Sequence, residues 1–268
     1  MRIKIGYDIS YRHIQETPII AMLEVHQSRK NDLEKIDLPV MEPNLALDRF
    51  LDGFGNQCCR FVAPPGDLRI SCETVIRDSG LPDEVAPYAI QHKVEDLPHD
   101  TLGYLLGSRY CETQLLADDA WRLFGHTPLG WARVQAVCDF VHAHLRFDYK
   151  LASSTRTAAE AYRERLAVCR DFAHLAITLC RCLNIPARYC TGYMGDIGVP
   201  PSPDPMDFSG WFEAYLGHRW YTFDARSNKP RIGRVPIAYG RDAADVAIST
   251  TFGPNMLTGF RVISDELS

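Results

Sequence analysis

In the stretch from Leu166 to Tyr193 a cysteine stands where a loop turns into a helix, and no other stretch constrains the chain as strongly. Ala173, Leu175, Ala176, Leu179, Cys180 and Leu183 recur at the three-and-four spacing of an amphipathic helix. Asn184 suits the helix end, and Pro186 stops the helix from continuing. Ala187 to Tyr193 then reads as a strand. Cys169 therefore falls in the first turn of a helix, near unpaired backbone N–H groups and the positive end of the helix dipole. Both favour the thiolate, the nucleophilic form of cysteine.

The 268 residues suit one large domain or two ordinary ones. A net charge of -5 argues against a general nucleic-acid or anionic-membrane binder. Arg2 and Lys4 are followed by no apolar run, so no signal peptide is expected, and no stretch has the length of a membrane span. The expected compartment is the cytoplasm. Nine cysteines are many, and their number is odd. Cys58 and Cys59 are adjacent, while Cys180 and Cys182 fall on different sides of one helix, so no zinc-type spacing emerges. Reduced, packed thiols are expected, with no metal and no cofactor.

From Ile3 to about Val75 the chain alternates and is cut by turn chemistry at Asp52–Asn56 and Pro64–Asp67, which predicts an antiparallel β-sandwich. His13 and His26 are expected at its surface or on an edge strand. Glu84 to His99 is dotted with proline and reads as a linker. The expected division is thus 1–84 for an N-terminal β domain and 85–268 for the rest, an α+β chain. Thr101 to Phe124 is helical in pieces, with a turn at Ser108–Glu112. Thr127-Pro128 resembles a helix start, and Trp131, Val134, Val137, Cys138, Val141 and Leu145 give that helix one buried face. Thr157 and Glu160 form a capping-box pattern before Cys169. After the proline-rich loop Gly198 to Pro205 comes a hairpin, DFSGWFEAYL-GH-RWYTFDAR, whose Gly217-His218 turn suits type II′. Its register sets Leu216 against Arg219, Tyr215 against Trp220 and Trp211 against Asp224. Ser209, Trp211, Glu213, Tyr215, Trp220, Thr222 and Asp224 then share one face, with Ser209 a diagonal neighbour of Asp224.

The segment RLAVCRDFAHLAITLCRCLNIPARYCTGY, followed by WFEAYLGHRWYTFDAR, resembles the transglutaminase-like cysteine-enzyme superfamily in its bacterial branch. DGFGNQCCRF is similar to the β-sandwich that precedes the catalytic domain in this branch, and GRDAADV to a segment near its C-terminus. The resemblance implies a papain-like domain in which the nucleophile helix packs on an antiparallel sheet. It implies Cys169 as the nucleophile, Asp224 as the residue that orients an imidazole, and Trp211 and Asp171 as binding residues. Where the family has His-Ala-Trp, this chain has Ser209-Gly210-Trp211. A serine occupies the histidine position, where it could link Asp224 to a ligand by hydrogen bonding.

An intact cysteine–histidine–aspartate set implies acyl transfer, in which a thiolate attacks an amide or ester carbonyl and water or an amine resolves the thioester. Without the histidine, the leaving amine lacks an evident proton donor. Three functions follow. One is a cysteine protease, amidase or acyltransferase acting on a peptide or protein through a Cys169 thioester. Another is a non-catalytic member that binds a peptide or protein partner in the cleft. The third is a redox thiol, though no C-x-x-C resolving partner is present. His218 lies at the turn, far from position 209, and His174 faces away from Cys169 around the helix.

Overall fold

Alternating side chains in the first eighty residues produce six strands, β1 (Arg2–His13), β2 (Thr17–Ala21), β3 (Val40–Glu42), β4 (Asp48–Leu51), β5 (Gln57–Ala63) and β6 (Gly66–Arg77). The computed structural model describes residues 1–202 and 205–267, so residues 203 and 204 of the expected proline-rich loop lie outside the described residues. Along β1, Ile3, Ile5, Tyr7, Ile9 and Tyr11 turn inward, as period-two burial requires. The middle of the chain supplies α1 (Thr113–Phe124), α2 (Trp131–His144), the short strand β7 (Arg146–Phe147), α3 (Ala158–Glu164), a second short strand β8 (Leu166–Ala167) and α4 (Cys169–Cys182). The remaining strands are β9 (Ala187–Tyr193), β10 (Ser209–Leu216), β11 (Arg219–Phe223), β12 (Val235–Gly240), β13 (Ser249–Thr251) and β14 (Asn255–Leu267).

Two antiparallel sheets, ordered β14-β1-β6-β3 and β13-β2-β5-β4, contain all six N-terminal strands. Their last members come from the far end of the chain: β14 pairs with β1 from Arg2↔Leu267 to His13↔Asn255, and β13 pairs with β2. A division at residue 84 assigns these two strands to the second unit, yet their hydrogen bonds join them to the first. Nothing in the local sequence could reveal that pairing, because it is set by contacts across nearly the whole chain. His13 and His26 are buried, at 2 % and 9 % exposure, rather than lying at a surface. His13 continues the inward face of β1, a strand paired on both sides. His26 meets the Tyr239 ring edge-on at 4.7 Å, and burial lowers its pKa to about 4.

The segment from Glu84 to His99 is irregular, but its main chain is tied to the second unit. Trp131 N donates to Ala89 O at 3.0 Å, Gly217 N to Ile90 O at 2.9 Å, and the Gln91 side chain to Leu183 O at 2.9 Å. The tie at Ala89 also explains why α2 begins at Trp131 and not at the expected Thr127-Pro128. The apolar face of α2 is buried through Trp131, Val134, Val137, Cys138, Val141 and, just past its end, Leu145. In α3 the capping box is complete, since Thr157 Oγ1 accepts from Glu160 N and Glu160 returns the bond to Thr157 N.

The third sheet, ordered β11-β10-β9-β12, carries α4. Its hairpin has the expected register, Leu216↔Arg219 through Phe212↔Phe223. The turn itself differs. Gly217 and His218 have φ values of 53° and 68°, the type I′ pattern, and not type II′, which needs positive φ only at its first residue. Both turns match the right-handed twist of the strands, and histidine is among the residues that tolerate the left-handed region.

Candidate active site

The parallel pair β7–β8 sets Phe147 beside Ala167, two residues before the nucleophile candidate. The chain then enters α4 at Cys169, as the spacing predicts. Asp171 fastens this entry: its Oδ2 accepts from Val168 N at 3.0 Å and from Arg156 at 3.1 Å, and its Oδ1 from Arg170 at 3.2 Å. That is one half of a capping box, because valine offers no side-chain acceptor to return the bond. Asp171, expected as a binding residue, is 1 % exposed and lines no part of the cavity described next. Its position supports the helix start.

Cys169 opens into a cavity of about 420 Å³. Val168, Met194, Met206 and Phe208 give it apolar walls, Ser209, Ser227 and Tyr149 bring hydroxyls, and Asp196, Asp207, Arg226 and Arg231 bring charge. None of the nine histidines lines it. The thiol behaves differently from the sequence expectation. Burial pushes it above the ordinary thiol range, while the N–H groups of Gly210 and Arg170 and the nearby Arg226 guanidinium pull it down and Asp207 pushes it further up. The helix terminus therefore does not by itself make Cys169 a thiolate, because withdrawal from water outweighs the donors. It is still the least perturbed thiol. Burial pushes Cys58, Cys59, Cys111 and Cys182 to about 11 and Cys72 to about 12, and Cys138, Cys180 and Cys190 are displaced upward more strongly. All nine are free, and only Cys72 and Cys169 are not fully buried.

Ser209 and Trp211 share one face of β10 by alternation, yet they open onto two different places along it. Ser209 lines the cavity with Cys169, whereas Trp211 lines a neighbouring pocket among Glu213, Arg231 and Arg234. Between them Gly210 faces Tyr189 so closely that a Cβ at that position would lie 2.2 Å from the phenolic oxygen. Arg234 stacks over Trp211 at 5.0 Å from the ring centroid and donates to Asp224 Oδ2 at 2.9 Å and to Asp83 at 2.8 Å. Asp224 Oδ1 accepts from the N–H groups of Arg226 and Ser227, both at 3.0 Å. Burial alone would raise this carboxyl, but Arg234 and the N–H donors hold it below the usual carboxylate range. Ser209 and Asp224 form no hydrogen bond with each other, contrary to the expected link: the acceptors of Asp224 are taken by Arg234 and by its own loop.

Three residues of this region carried no sequence expectation. Arg234 follows Asp224 by one loop, and only the fold returns it to the carboxylate. Arg226 lies in the loop after β11, its guanidinium 4.0 Å above the Phe147 ring and facing the cavity. Asp207 precedes Ser209 by two residues and so shares its alternation, the one signal that could have drawn attention to it. Among the described residues, no three His, Cys, Asp or Glu side chains are grouped so as to hold a metal ion. Nor is any helix there long and apolar enough to cross a membrane.

Comparisons with known proteins agree with this geometry. The crystal structure of a putative cysteine protease from Cytophaga hutchinsonii matches all of this chain and 91 % of that protein, with 31 % identity and a TM-score of 0.84. An uncharacterized protein of Mycobacterium leprae is 30 % identical over 92 residues, which are 33 % of this chain and 32 % of that protein. This chain therefore matches about a third of the length of its curated relative. The family model of the transglutaminase-like superfamily matches residues 122–225, from the end of α1 to just past Asp224. With the helix-borne cysteine, the antiparallel sheet beneath it and a relative alike over its whole length, the chain belongs to the transglutaminase-like superfamily.

Proposed function

We propose that this protein is a thiol enzyme of acyl transfer, a cysteine protease, amidase or acyltransferase, acting on an amide or ester of a peptide or protein. The observation that carries this reading is Cys169 itself, a half-buried residue at the start of a helix, lining a cavity of about 420 Å³. In this reading the sulfur attacks the substrate carbonyl, a thioester forms, and water or an amine resolves it. Arg226 is the cation placed to favour developing negative charge near the sulfur, in keeping with its downward pull on the thiol. Similarity to the Cytophaga hutchinsonii protein supports a hydrolytic outcome. Nine free thiols with no disulfide support a reducing, cytoplasmic setting.

Ser209 stands at the family's histidine position and lines the same cavity, where a hydroxyl can orient a substrate but cannot shuttle protons near neutrality. The histidine-free cavity is the observation that favours the second reading, a cleft that binds a peptide without turning it over. Intact-mass analysis after mixing with an activated aryl ester distinguishes them. An acyl adduct on the wild type that is absent from Cys169→Ala supports the enzyme. Brief sub-stoichiometric alkylation at neutral pH that labels Cys72 and spares Cys169 removes the basis for a nucleophile.

A further inference from the structure

We propose that Asp207 carries the proton that the family's histidine would carry, serving as the acid–base partner of Cys169. This deepens the acyl-transfer reading above and rests on it. The cavity limits the choice. Its arginines stay protonated and cannot exchange protons near neutrality. Asp196 lies on the far side of the cavity, accepting from Ser202 N at 2.6 Å and standing 4.0 Å from the Arg231 guanidinium. Among the described residues, Asp207 remains, held by Phe208 N to Oδ1 at 2.6 Å and by Tyr149 to Oδ2 at 3.2 Å. It stands two residues before the serine that replaces histidine and lines the same cavity as the thiol.

The electrostatics agree with the geometry. Burial holds Asp207 above the usual carboxylate range, with the Phe208 and Tyr149 donors only partly opposing it. Asp207 is also the carboxylate that pushes the Cys169 thiol up, so the thiol lies within its field. The groups facing this pair are Tyr149 from the turn after β7, Arg226 from the loop after β11, and Asp196 with Arg231 across the cavity. A carboxyl displaced toward neutrality can both take a proton and return it.

The step balances without any further reagent. As the sulfur–carbon bond forms, the thiol proton passes to the Asp207 carboxylate and the carbonyl π pair moves onto oxygen. On collapse the carbon–nitrogen bond breaks, and the Asp207 carboxylic acid protonates the leaving amine. Water then adds to the thioester carbonyl, giving a proton to Asp207. The sulfur leaves and recovers that proton, so the net change is an amide and water to an acid and an amine.

Asp207→Asn, nearly the same shape, tests the assignment through two readouts. Amide turnover should fall about 10²–10⁴-fold, the usual worth of acid–base help, while acylation by an aryl ester should fall less, because the thiol loses its proton acceptor but the leaving group needs no proton. Alkylation of Cys169 at neutral pH should become faster, because a negative neighbour has gone; a merely structural role would not produce that gain. Tyr149→Phe should lower amide turnover in the same direction but less. Unchanged amide turnover, or unchanged alkylation, in a folded Asp207→Asn protein overturns the assignment of Asp207 while leaving the thioester reading intact. A wild type that forms no acyl adduct overturns the thioester reading, and this one with it.

Discussion

Asp207, just before β10, and Asp224, just after its hairpin partner β11, sit in opposite electrostatic conditions. Asp224, 8 % exposed, is bound by Arg234 and two backbone N–H groups and held below the ordinary carboxylate range. Asp207 meets one phenol, one N–H and an apolar wall, and burial lifts it above that range. The side chain is the same, and its surroundings decide whether it is fixed as an ion or left able to exchange a proton. In a triad Asp224 would orient an imidazole; here it orients an arginine, and the neighbouring residues Trp211, Glu213 and Arg188 extend a charged, stacked layer on that face. The cavity retains the thiol and its less constrained carboxyl.

The largest expected effect is on the fixed side. Arg234→Met removes the partner of two carboxylates, Asp224 and Asp83, and strands Asp224 as a buried charge. Breaking such a pair costs about 3–5 kcal/mol, to be read from urea unfolding at neutral pH. A loss below about 1 kcal/mol would mean that Asp224 is not fixed in this way. Next, Gly210→Ala drives a methyl into the Tyr189 hydroxyl and should cost about 1–3 kcal/mol by overpacking. Tyr189→Phe in the same chain should recover part of that loss, and no recovery would place the clash elsewhere.

The pH dependence separates the two carboxylates by sign. Asp224 has a folded pKa below its unfolded value, so its contribution is present above the unfolded value of about 3.9 and is lost as pH falls through the folded one. Asp207 is raised, so its contribution is present below about 3.9 and lost as pH rises through its folded value. Asp207→Asn should therefore leave the protein slightly more stable at pH 7 than the wild type, even as amide turnover falls. Thermal melts across acid pH check both slopes, and a destabilised Asp207→Asn at pH 7 would contradict the assignment. The smallest effect is expected for Ser209→His. With the Asp224 acceptors occupied, a new imidazole finds no orienting carboxylate there, and the alkylation-versus-pH curve of Cys169 should shift only slightly. A large downward shift would show that Asp224 can exchange Arg234 for histidine.

Local chemistry was legible in the sequence. Apolar spacing and Pro186 placed α4, Thr157 and Glu160 announced α3, and a two-residue turn fixed the register of β10 with β11. What escaped was non-local. Arg234 reaches Asp224 only because the chain loops back, and β14 pairs with β1 across nearly the whole length of the chain. The resemblance implies Asp171 as a binding residue, and its bonds to Val168 N and Arg156 belong to the helix start. The thiol's upward displacement was illegible for a further reason: a helix terminus can be read from sequence, but the depth of burial cannot.

The pairing of β14 with β1 has a consequence for how the chain is made. On the ribosome, β1 and β6 emerge early, while their outer partner emerges only after the whole cysteine-bearing region between them. Throughout that interval the nascent chain displays the outer edge of β1, a strand of twelve residues whose free N–H and C=O groups invite pairing with any passing strand. The cysteine-bearing region must therefore fold while this edge is open, and premature termination before Asn255 leaves the edge open for good. Such fragments should aggregate rather than merely lose activity, so the final strand acts in the cell as a seal on a sheet begun more than two hundred residues earlier.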